Sequence, residues 1–209
     1  MGGVDKVLAL LGGKPVLARV INIFQMCNLI DQIVVVVSKQ SLGRCQQLVA
    51  EQGWSKMTEV CPGGRRRQDS VVAGLSRLTH CDWLVIHDGA RPLLTVDLID
   101  CGLEAARETG AAVAAVPVTD TIKVAGDDRI VTETPLRHNL WAVQTPQVFR
   151  FDIIAEAYRR AKGEVTDDAS LVEQLGYRVK LYMGAYDNIK VTTPDDLALA
   201  EVLWHKRER

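Results

Sequence analysis

The chain has 209 residues and a nearly balanced charge, with 25 lysines and arginines against 26 aspartates and glutamates and a formal net charge of −1. Nucleic acids and anionic membrane surfaces select proteins with a basic excess, so this balance argues against both as partners. Hydrophobic residues make up 47% of the sequence and charged residues 24%, the ordinary mix of a globular protein with a buried core. We expect one domain over 1–209. The sequence shows no membrane span, signal peptide or CxxC pair, which predicts a soluble cytoplasmic protein with reduced cysteines.

Apolar runs and helical stripes alternate along the chain in the order that is typical of an α/β fold. The run IVVVV at 33–37 is uniformly apolar, as in a strand that is covered on both faces of a parallel sheet. The predicted helices are 15–25, 42–52, 69–78, 96–109, 151–161, 167–175 and 194–206, and the predicted strands are 33–37, 58–60, 83–87, 112–116 and 178–183.

The alternation is interrupted after the fourth of these strands. Two short segments, 121–124 and 129–132, flank the turn sequence AGDD at 125–128, which predicts a β-hairpin inserted into the α/β chain. A two-stranded hairpin is not stable by itself, so we expect this arm to pack on another surface.

Two polar segments lie where predicted strands end. In GGRRRQDS at 63–70, the glycines allow a ligand close to the backbone, and the arginines and the following helix N-terminus favour a phosphate. Asp88 follows the strand 83–87, at the edge where open α/β sheets bind ligands, and is a candidate for a metal ion or a ribose hydroxyl. The plainer interpretations are a solvated, capped turn for the first segment and an Asp88–Arg91 pair for the second.

Other nucleotide-binding and hydrolytic motifs do not occur in the sequence. No GxGxxG follows a strand, GGKP at 12–15 lacks the spacing and the hydroxyl of a Walker A loop, and no GxSxG is present. Hydride transfer, P-loop chemistry and serine hydrolysis are therefore disfavoured.

Six segments occur in the order found in 2-C-methyl-D-erythritol 4-phosphate cytidylyltransferases, and the sequence resembles this family of the nonmevalonate isoprenoid pathway. The segments are GGRRRQDSVVAGL at 63–75, HDGARP at 87–92, PVTDTIK at 117–123, LWAVQTPQVF at 140–149, TDDASLVE at 166–173 and DNIKVTTPDDLALAE at 187–201. The resemblance implies an α/β, Rossmann-like nucleotidyltransferase sheet, mostly parallel with helices on both faces. It also implies an inserted β-arm at about 117–145 that is used for dimerisation.

The resemblance further implies that CMP from CTP is joined to 2-C-methyl-D-erythritol 4-phosphate with release of pyrophosphate, assisted by Mg²⁺ as cofactor. Such chemistry needs positioned cations rather than a covalent nucleophile, because the substrate phosphate itself attacks. The family's catalytic positions fall on Lys6, Arg137 and Lys190. Its substrate-binding positions fall on Gly63, Gly64, Arg67, Ser70, Asp88, Thr121 and Thr166, and Asp88 is also the metal position.

In the family, the two lysines contact the nucleotide phosphates, and the glycine segment recognises cytosine. Thr121 and Arg137 would reach from the arm into the partner subunit of a homodimer and hold the methylerythritol phosphate. Thr166 would line the substrate pocket. Considered without the family, Thr121 is a strand residue, Arg137 a surface cation and Lys190 a solvated turn lysine.

The family opens with a strand and a loop AAGxGxRMG, whereas this sequence starts MGGVDKVLALLGGKP, as though at the Met of that motif. We expect the natural chain to start upstream, since a sheet without its first strand leaves a ladder unpaired. Two alternatives stay open: a ribitol 5-phosphate-type cytidylyltransferase, and a noncatalytic dimerising relative. Thr121 and Arg137 favour methylerythritol phosphate as the acceptor, and a thermal shift with CTP would separate an enzyme from a noncatalytic relative.

Overall fold

A computed structural model describes residues 6–78, 81–161, 163 and 165–207. Within these residues helices and strands alternate over the whole length. The helices are α1 (Val16–Met26), α2 (Leu42–Gln52), α3 (Arg67–Leu75), α4 (Val96–Thr109), α5 (Phe151–Arg160), α6 (Ala169–Gln174) and α7 (Pro194–Arg207). The strands are β1 (Leu10–Leu11), β2 (Lys14–Pro15), β3 (Ile33–Val37), β4 (Met57–Pro62), β5 (Trp83–Ile86), β6 (Ala111–Pro117), β7 (Val124–Ala125), β8 (Val131–Glu133), β9 (Trp141–Arg150) and β10 (Lys180–Met183).

The central layer consists of a four-stranded sheet in the order β10-β6-β9-β5 and a separate pair, β3-β4. Strand β10 is parallel to β6, and β3 is parallel to β4, whereas β9 runs antiparallel to both β5 and β6. Strands β5, β6 and β10 therefore share one direction, and β9 opposes them. The expected mostly parallel sheet is thus a mixed sheet, because β9 separates β5 from β6.

Strand β9 was not predicted from the sequence. Pro146 and the neighbouring polar residues Gln144, Thr145 and Gln147 conceal the strand pattern, although all four are buried. The expected arm at 117–145 also ends earlier than predicted, because Trp141 already begins β9. The arm proper is the hairpin β7-β8 and the 3₁₀ turn Arg137–Asn139, so the predicted hairpin is confirmed with shorter strands.

Helices cover both faces of the sheet because β6 alternates between two cores. Ala112 and Ala114 pack into the cluster formed with α1 and α4, whereas Ala111 and Val113 pack into the cluster formed with α5 and α6. Six consecutive residues of β6 are buried, as expected for a central strand that is covered on both faces.

A short hairpin that was not predicted, β1-β2, fastens the start of the described chain to α7. Its turn residues Gly12 and Gly13 have φ angles of 53° and 78°, the region that glycine enters without steric cost. The Gly12 amide donates to Glu201 at 2.8 Å, and the Arg19 guanidinium donates to the Gly12 carbonyl at 2.6 Å while lying over the Trp204 ring.

The most periodic elements have the predicted bounds, namely β3, α2 and α4. Among the described helices, none is long and apolar enough to cross a membrane.

Helix α4 begins with a side-chain cap that can be tested. The Thr95 hydroxyl accepts a hydrogen bond from the Leu98 amide at 3.2 Å. Replacing Thr95 by alanine removes that acceptor, and we expect the free energy of unfolding to fall by about 1 kcal/mol. Urea denaturation measures the change, and Thr95→Ser, which keeps the hydroxyl, is the matched control. Equal stability of the alanine and serine variants would show that the cap contributes nothing.

Candidate active site

The loops that follow β4, β5 and β10 bring one carboxylate and three cations together. Asp88 follows β5, and Arg67 begins the helix that follows β4. Lys190 lies in the loop between β10 and α7, and its Nζ is 2.9 Å from Asp88 Oδ2. Arg91 Nε is 3.6 Å from the same oxygen. The site therefore presents more positive than negative charge at the edge of the sheet where α/β folds bind their ligands.

The cations keep Asp88 ionised although the carboxylate is mostly buried. Burial alone would raise the pKa of Asp88, but the hydrogen bond from Lys190 and the charges of Lys190, Arg91 and Arg67 hold this pKa below its usual value. Burial lowers the pKa of Arg91, and the nearby Asp88 opposes that shift. Asp88 thus offsets part of the mutual repulsion of the three cations.

Two glycines allow α3 to begin directly against the end of β4. A Cβ on Gly63 would lie 2.5 Å from Ser70 Oγ, and a Cβ on Gly64 would lie 2.2 Å from Asp69 Cβ. The Gly63 amide donates to the Val37 carbonyl at 2.8 Å. A side chain at Gly64 would collide with the Cβ of Asp69, so the close contact between α3 and the end of β4 depends on glycine at that position.

Arg67 is held from behind by a buried acid. Its Nη2 donates to Asp168 Oδ2, and the other oxygen of Asp168 accepts a hydrogen bond from the Tyr158 hydroxyl. Burial alone would lower the pKa of Arg67, but the hydrogen bond and the charge of Asp168 raise it. Burial and the Asp168 carboxylate both raise the pKa of Tyr158. Asp168 is fully buried, so the guanidinium has a fixed partner and a fixed direction.

A chain of hydrogen bonds ties the loop after β5 to β9. The Asp88 amide donates to Thr145 Oγ1 at 3.0 Å, and Thr145 Oγ1 lies 3.0 Å from His87 Nδ1. The Nε2 atom of the same ring is 3.2 Å from the Arg91 carbonyl. The carbonyl can only accept, so Nε2 carries a proton. Burial lowers the pKa of His87 to about 4, so the ring is neutral near pH 7 and Nδ1 accepts from the Thr145 hydroxyl. The imidazole joins both ends of the loop.

The loop that carries Lys190 is anchored by a buried amide. Asn188 Nδ2 donates to the Thr145 carbonyl at 2.8 Å and to Gln144 Oε1 at 3.3 Å. Arg91 Nη1 donates to the Asn188 carbonyl at 2.7 Å, and the Val191 amide donates to the Ala90 carbonyl at 2.8 Å. Lys190 is therefore an exposed side chain on a fixed backbone.

Comparisons with known proteins agree with this geometry. A family model described as 2-C-methyl-D-erythritol 4-phosphate cytidylyltransferase matches residues 1–206. The chain belongs to the 2-C-methyl-D-erythritol 4-phosphate cytidylyltransferase family. A relative of that name from Dehalococcoides mccartyi is 53% identical over 99% of this chain and 91% of its own length. A second, from Alkaliphilus oremlandii, is 43% identical over 95% of this chain and 86% of its own length.

Solved structures of the cytidylyltransferase family have the same fold. The 4-diphosphocytidyl-2C-methyl-D-erythritol synthase from Anaerococcus prevotii superimposes with a TM-score of 0.89 at 29% identity, covering 95% of this chain and 93% of its own. The enzyme from Thermus thermophilus gives a TM-score of 0.79 at 31% identity, covering 96% and 94%. The expected α/β nucleotidyltransferase fold is confirmed.

Most of the predicted cytidylyltransferase site residues lie at this one edge of the sheet. They are Gly63, Gly64, Arg67, Ser70, Asp88 and Lys190. Lys6 lies in the 3₁₀ turn Lys6–Leu8, and the next residue, Val7, is close to Gly89. Lys6 therefore begins the described chain beside the loop of Asp88, although no described contact joins its side chain to the cluster.

The other three predicted residues lie outside the cluster in this single chain. Thr121 and Arg137 are exposed on the arm, where Arg137 Nη1 donates to the Thr119 carbonyl at 2.7 Å. Thr166 is exposed in the turn before α6, two residues ahead of Asp168. Their assigned roles stay predictions from the family resemblance.

Sequence reasoning missed the residues that hold the charged groups in place. The sequence suggests Arg91 only as a pairing partner of Asp88, and it assigns no role to Asp168 or Thr145, although both lie within the family's segments. Tyr158 had no signal, because a tyrosine on an amphipathic helix is ordinarily a core residue. The sequence did contain a signal for Asp168, because it follows another acid, Asp167, at the start of a helix. One acidic residue is enough to cap a helix, so the second needs another explanation.

The neutral His87 predicts a loss of stability in mild acid. Burial lowers its pKa from 6.5 to about 4, so between these values the unfolded chain binds a proton that the native protein excludes. The contribution of this group is complete above about pH 6.5 and decreases as the pH falls towards 4, by about 2 kcal/mol at pH 5.

Urea titrations of the wild type and of His87→Gln at pH 7 and pH 5 measure the effect. The glutamine variant lacks the titrating ring, so we expect its stability to decrease less than that of the wild type over this interval. Parallel decreases in the two proteins would contradict the neutral assignment.

Proposed function

We propose that this chain transfers CMP from CTP to 2-C-methyl-D-erythritol 4-phosphate and releases pyrophosphate, as a nucleotidyltransferase of the nonmevalonate isoprenoid pathway. The observation that carries the proposal is the pairing of Lys190 with Asp88 at 2.9 Å, flanked by Arg67 and Arg91, in a chain that matches the family over 1–206. Phosphoryl transfer needs positioned cations at such an edge, and the cluster supplies three.

The chemistry requires no proton donor from the protein. A phosphate oxygen of the methylerythritol phosphate forms a bond to the α-phosphorus of CTP, and the bond from that phosphorus to the oxygen bridging to the β-phosphorus breaks. The electron pair leaves with pyrophosphate, so the charge balances without a covalent enzyme intermediate. The protein has to hold two anions close together. Lys190 is the exposed cation of the cluster, and it is therefore the cation best placed for the α-phosphate.

The glycine segment is the proposed nucleoside side of the site. Gly63 and Gly64 carry no side chain between β4 and α3, and a Cβ at either position would clash with α3. Gly64 is exposed, so its backbone groups are accessible to a base from the solvent side, and Ser70 Oγ lies next to Gly63. The assignment of cytosine to this segment comes from the family resemblance.

Mg²⁺ is the proposed cofactor, and Asp88 is the residue that would hold it. The described residues contain no group of three or more His, Cys, Asp or Glu side chains that could form a cage for a metal ion. A single carboxylate nevertheless fits Mg²⁺, which is often bound by one or two carboxylates together with substrate phosphates. The bound ion would supply further neutralisation of the triphosphate charge.

The arm supports a homodimer as the functional unit. Its apolar side chains are exposed in the isolated chain, with Ile130 at 64%, Val131 at 52% and Leu136 at 66% accessible. An exposed apolar hairpin is typical of a surface that another protein covers. A second copy would bury these residues and bring the partner's arm, with Thr121 and Arg137, towards the cluster of the first.

The proposal predicts a large loss of turnover in Lys190→Ala. We expect the rate of pyrophosphate release with CTP and methylerythritol phosphate to fall at least about 100-fold, because a transition-state charge contact is lost. Lys6→Ala should behave in the same way, and Lys14→Ala, on the exposed strand β2, is the matched control. Near-normal turnover in Lys190→Ala would refute its role, and faster turnover with ribitol 5-phosphate than with methylerythritol phosphate would refute the proposed acceptor.

The dimer predicts complementation between two inactive variants. Mixed subunits of Arg137→Ala and Lys190→Ala build one intact site in each hybrid dimer, because the lysine comes from one subunit and the arginine from the other. After subunit exchange we expect about a quarter of the wild-type activity, since about half of random dimers are hybrids with one intact site of two. Lack of recovery despite exchange confirmed by native mass spectrometry would mean that each site is self-contained.

A further inference from the structure

Helix α7 supports both of the segments that carry the lysines of the proposed site. A small hydrophobic cluster, separate from the two main cores, joins this helix to β1, to the start of α1 and to the loop after β10. Its buried members are Leu11, Val16, Val191 and Ala200. Val191 directly follows Lys190, and Leu11 belongs to the hairpin that follows the turn of Lys6. One helix is therefore a common support for the backbone of both lysines.

The segment of Lys190 also has anchors of its own. On the side of the Asp88 loop, the Val191 amide donates to the Ala90 carbonyl at 2.8 Å. At the start of α7, the Thr192 amide and hydroxyl both donate to Asp196 Oδ2, at 2.9 Å and 2.5 Å. The backbone next to Lys190 is therefore fixed by hydrogen bonds on two sides, in addition to its packing on α7.

The turn of Lys6 is held by side-chain packing and by the hairpin that follows it. Val7 and Leu8 pack against the core formed with α1. The Ala9 amide donates to the Lys6 carbonyl at 3.3 Å, and the Ala9 carbonyl accepts from the Val16 amide at 2.9 Å. The strands β1 and β2 contain two residues each, and so short a ladder does not hold its own position. The turn thus depends on whatever holds the hairpin.

Three side chains close around Gly12 at the tip of this hairpin, and we call Arg19, Glu201 and Trp204 the clasp. The Gly12 amide donates to both carboxylate oxygens of Glu201, at 2.8 Å and 3.1 Å. The Arg19 guanidinium donates to the Leu11 carbonyl at 3.1 Å and to the Gly12 carbonyl at 2.6 Å. A Cβ on Gly12 would lie 2.7 Å from Trp204 Nε1. The clasp therefore grips the backbone of the hairpin directly.

Glu201 is the member of the clasp that bonds the hairpin to α7. Arg19 belongs to α1, which follows β2 without a break, so its hydrogen bonds fold the hairpin onto its own neighbouring helix. Trp204 packs on Gly12 and under Arg19, but its buried Nε1 has no hydrogen-bond partner among the described residues. The carboxylate of Glu201 therefore supplies the polar connection between the tip of the hairpin and the helix that also supports Lys190.

We propose that Glu201 is a positioning residue for Lys6. Its carboxylate holds the Gly12 amide against α7, which fixes the hairpin and with it the turn from which Lys6 reaches the nucleotide phosphates. The inference rests on the role proposed for Lys6 in CMP transfer. No described contact joins the Lys6 side chain to the charged cluster, so its backbone decides where the ammonium group lies. A displacement of about 1 Å in a catalytic group can cost about 100-fold in rate.

Glu201→Ala tests the proposal in the full chain. We expect kcat for pyrophosphate release to fall about tenfold and the KM for CTP to change less than about threefold, because the other cations of the site still bind the triphosphate. Amide hydrogen exchange at Gly12, followed by NMR, should become at least about tenfold faster, because the amide loses its acceptor. Glu201→Gln keeps an acceptor oxygen and should restore most of both properties. Val202→Ala, at the neighbouring exposed position of α7, is the matched control.

A double-mutant cycle separates positioning from a general loss of structure. If Glu201 acts through Lys6, Glu201→Ala should lower kcat less than about twofold in the Lys6→Ala background and keep most of its effect in the Lys190→Ala background. A full tenfold decrease in the Lys6→Ala background would show a merely structural role. Unchanged kcat or unchanged Gly12 exchange in Glu201→Ala would also overturn the proposal. No pyrophosphate release by the wild type, or normal release by Lys6→Ala, would instead refute the proposed function and this inference with it.

Discussion

The ionised carboxylate of Asp88 is the interaction on which the site depends. Three cations, Arg67, Arg91 and Lys190, act on this one mostly buried group, and without it they would repel each other in a region of low dielectric constant. The network that places Asp88 is entirely neutral, consisting of its own amide, the Thr145 hydroxyl and the His87 ring. Neutral hydrogen bonds thus position the carboxylate, and the carboxylate offsets part of the repulsion among the three cations.

The arrangement also explains why the positive charge is available to a ligand. Arg67 is balanced at its back by Asp168, and Arg91 is committed to the Asn188 carbonyl. Lys190 has an exposed side chain, and its partner among the described residues is Asp88, so it can turn from Asp88 to a phosphate. A fixed backbone that carries one movable charge suits a reaction in which one phosphate group replaces another at the α-phosphorus.

Much of this could be predicted from the sequence, and the failures have identifiable physical causes. The apolar run of β3 and the stripe of α4 gave correct bounds because periodicity and end signals agreed. Strand β9 escaped because its buried face contains Thr145 and Gln147, which are hydrogen-bonded in the core and mimic a loop in the sequence. The β1-β2 hairpin escaped because its stability comes from α7, 189 residues away in the chain at the Gly12–Glu201 contact.

The sequence predicts those residues of the site that belong to short motifs. Asp88 and the glycine segment could be placed at strand ends by topology alone, whereas Lys190 needed the family resemblance. Partners such as Tyr158 depend on where α5 packs against α6, which no local pattern encodes. The position of β9 between β5 and β6 was likewise invisible locally, since ladder partners are long-range properties.

Strand β9 supports two parts of the site, the loop of Asp88 and the start of α6, and both supports depend on its pairing register. Its Thr145 holds the loop of Asp88, and its Gln147 holds the start of α6, through the Ala169 amide at 3.2 Å and Asp167 at 3.1 Å. The hydrogen bonds of α6 in turn place Asp168 behind Arg67. Sliding β9 by a single residue would misplace both supports together. Selection should therefore act on substitutions in β9 as strongly as on changes in the charged residues. We expect β9 to vary little within the family, even at positions that are far from any ligand.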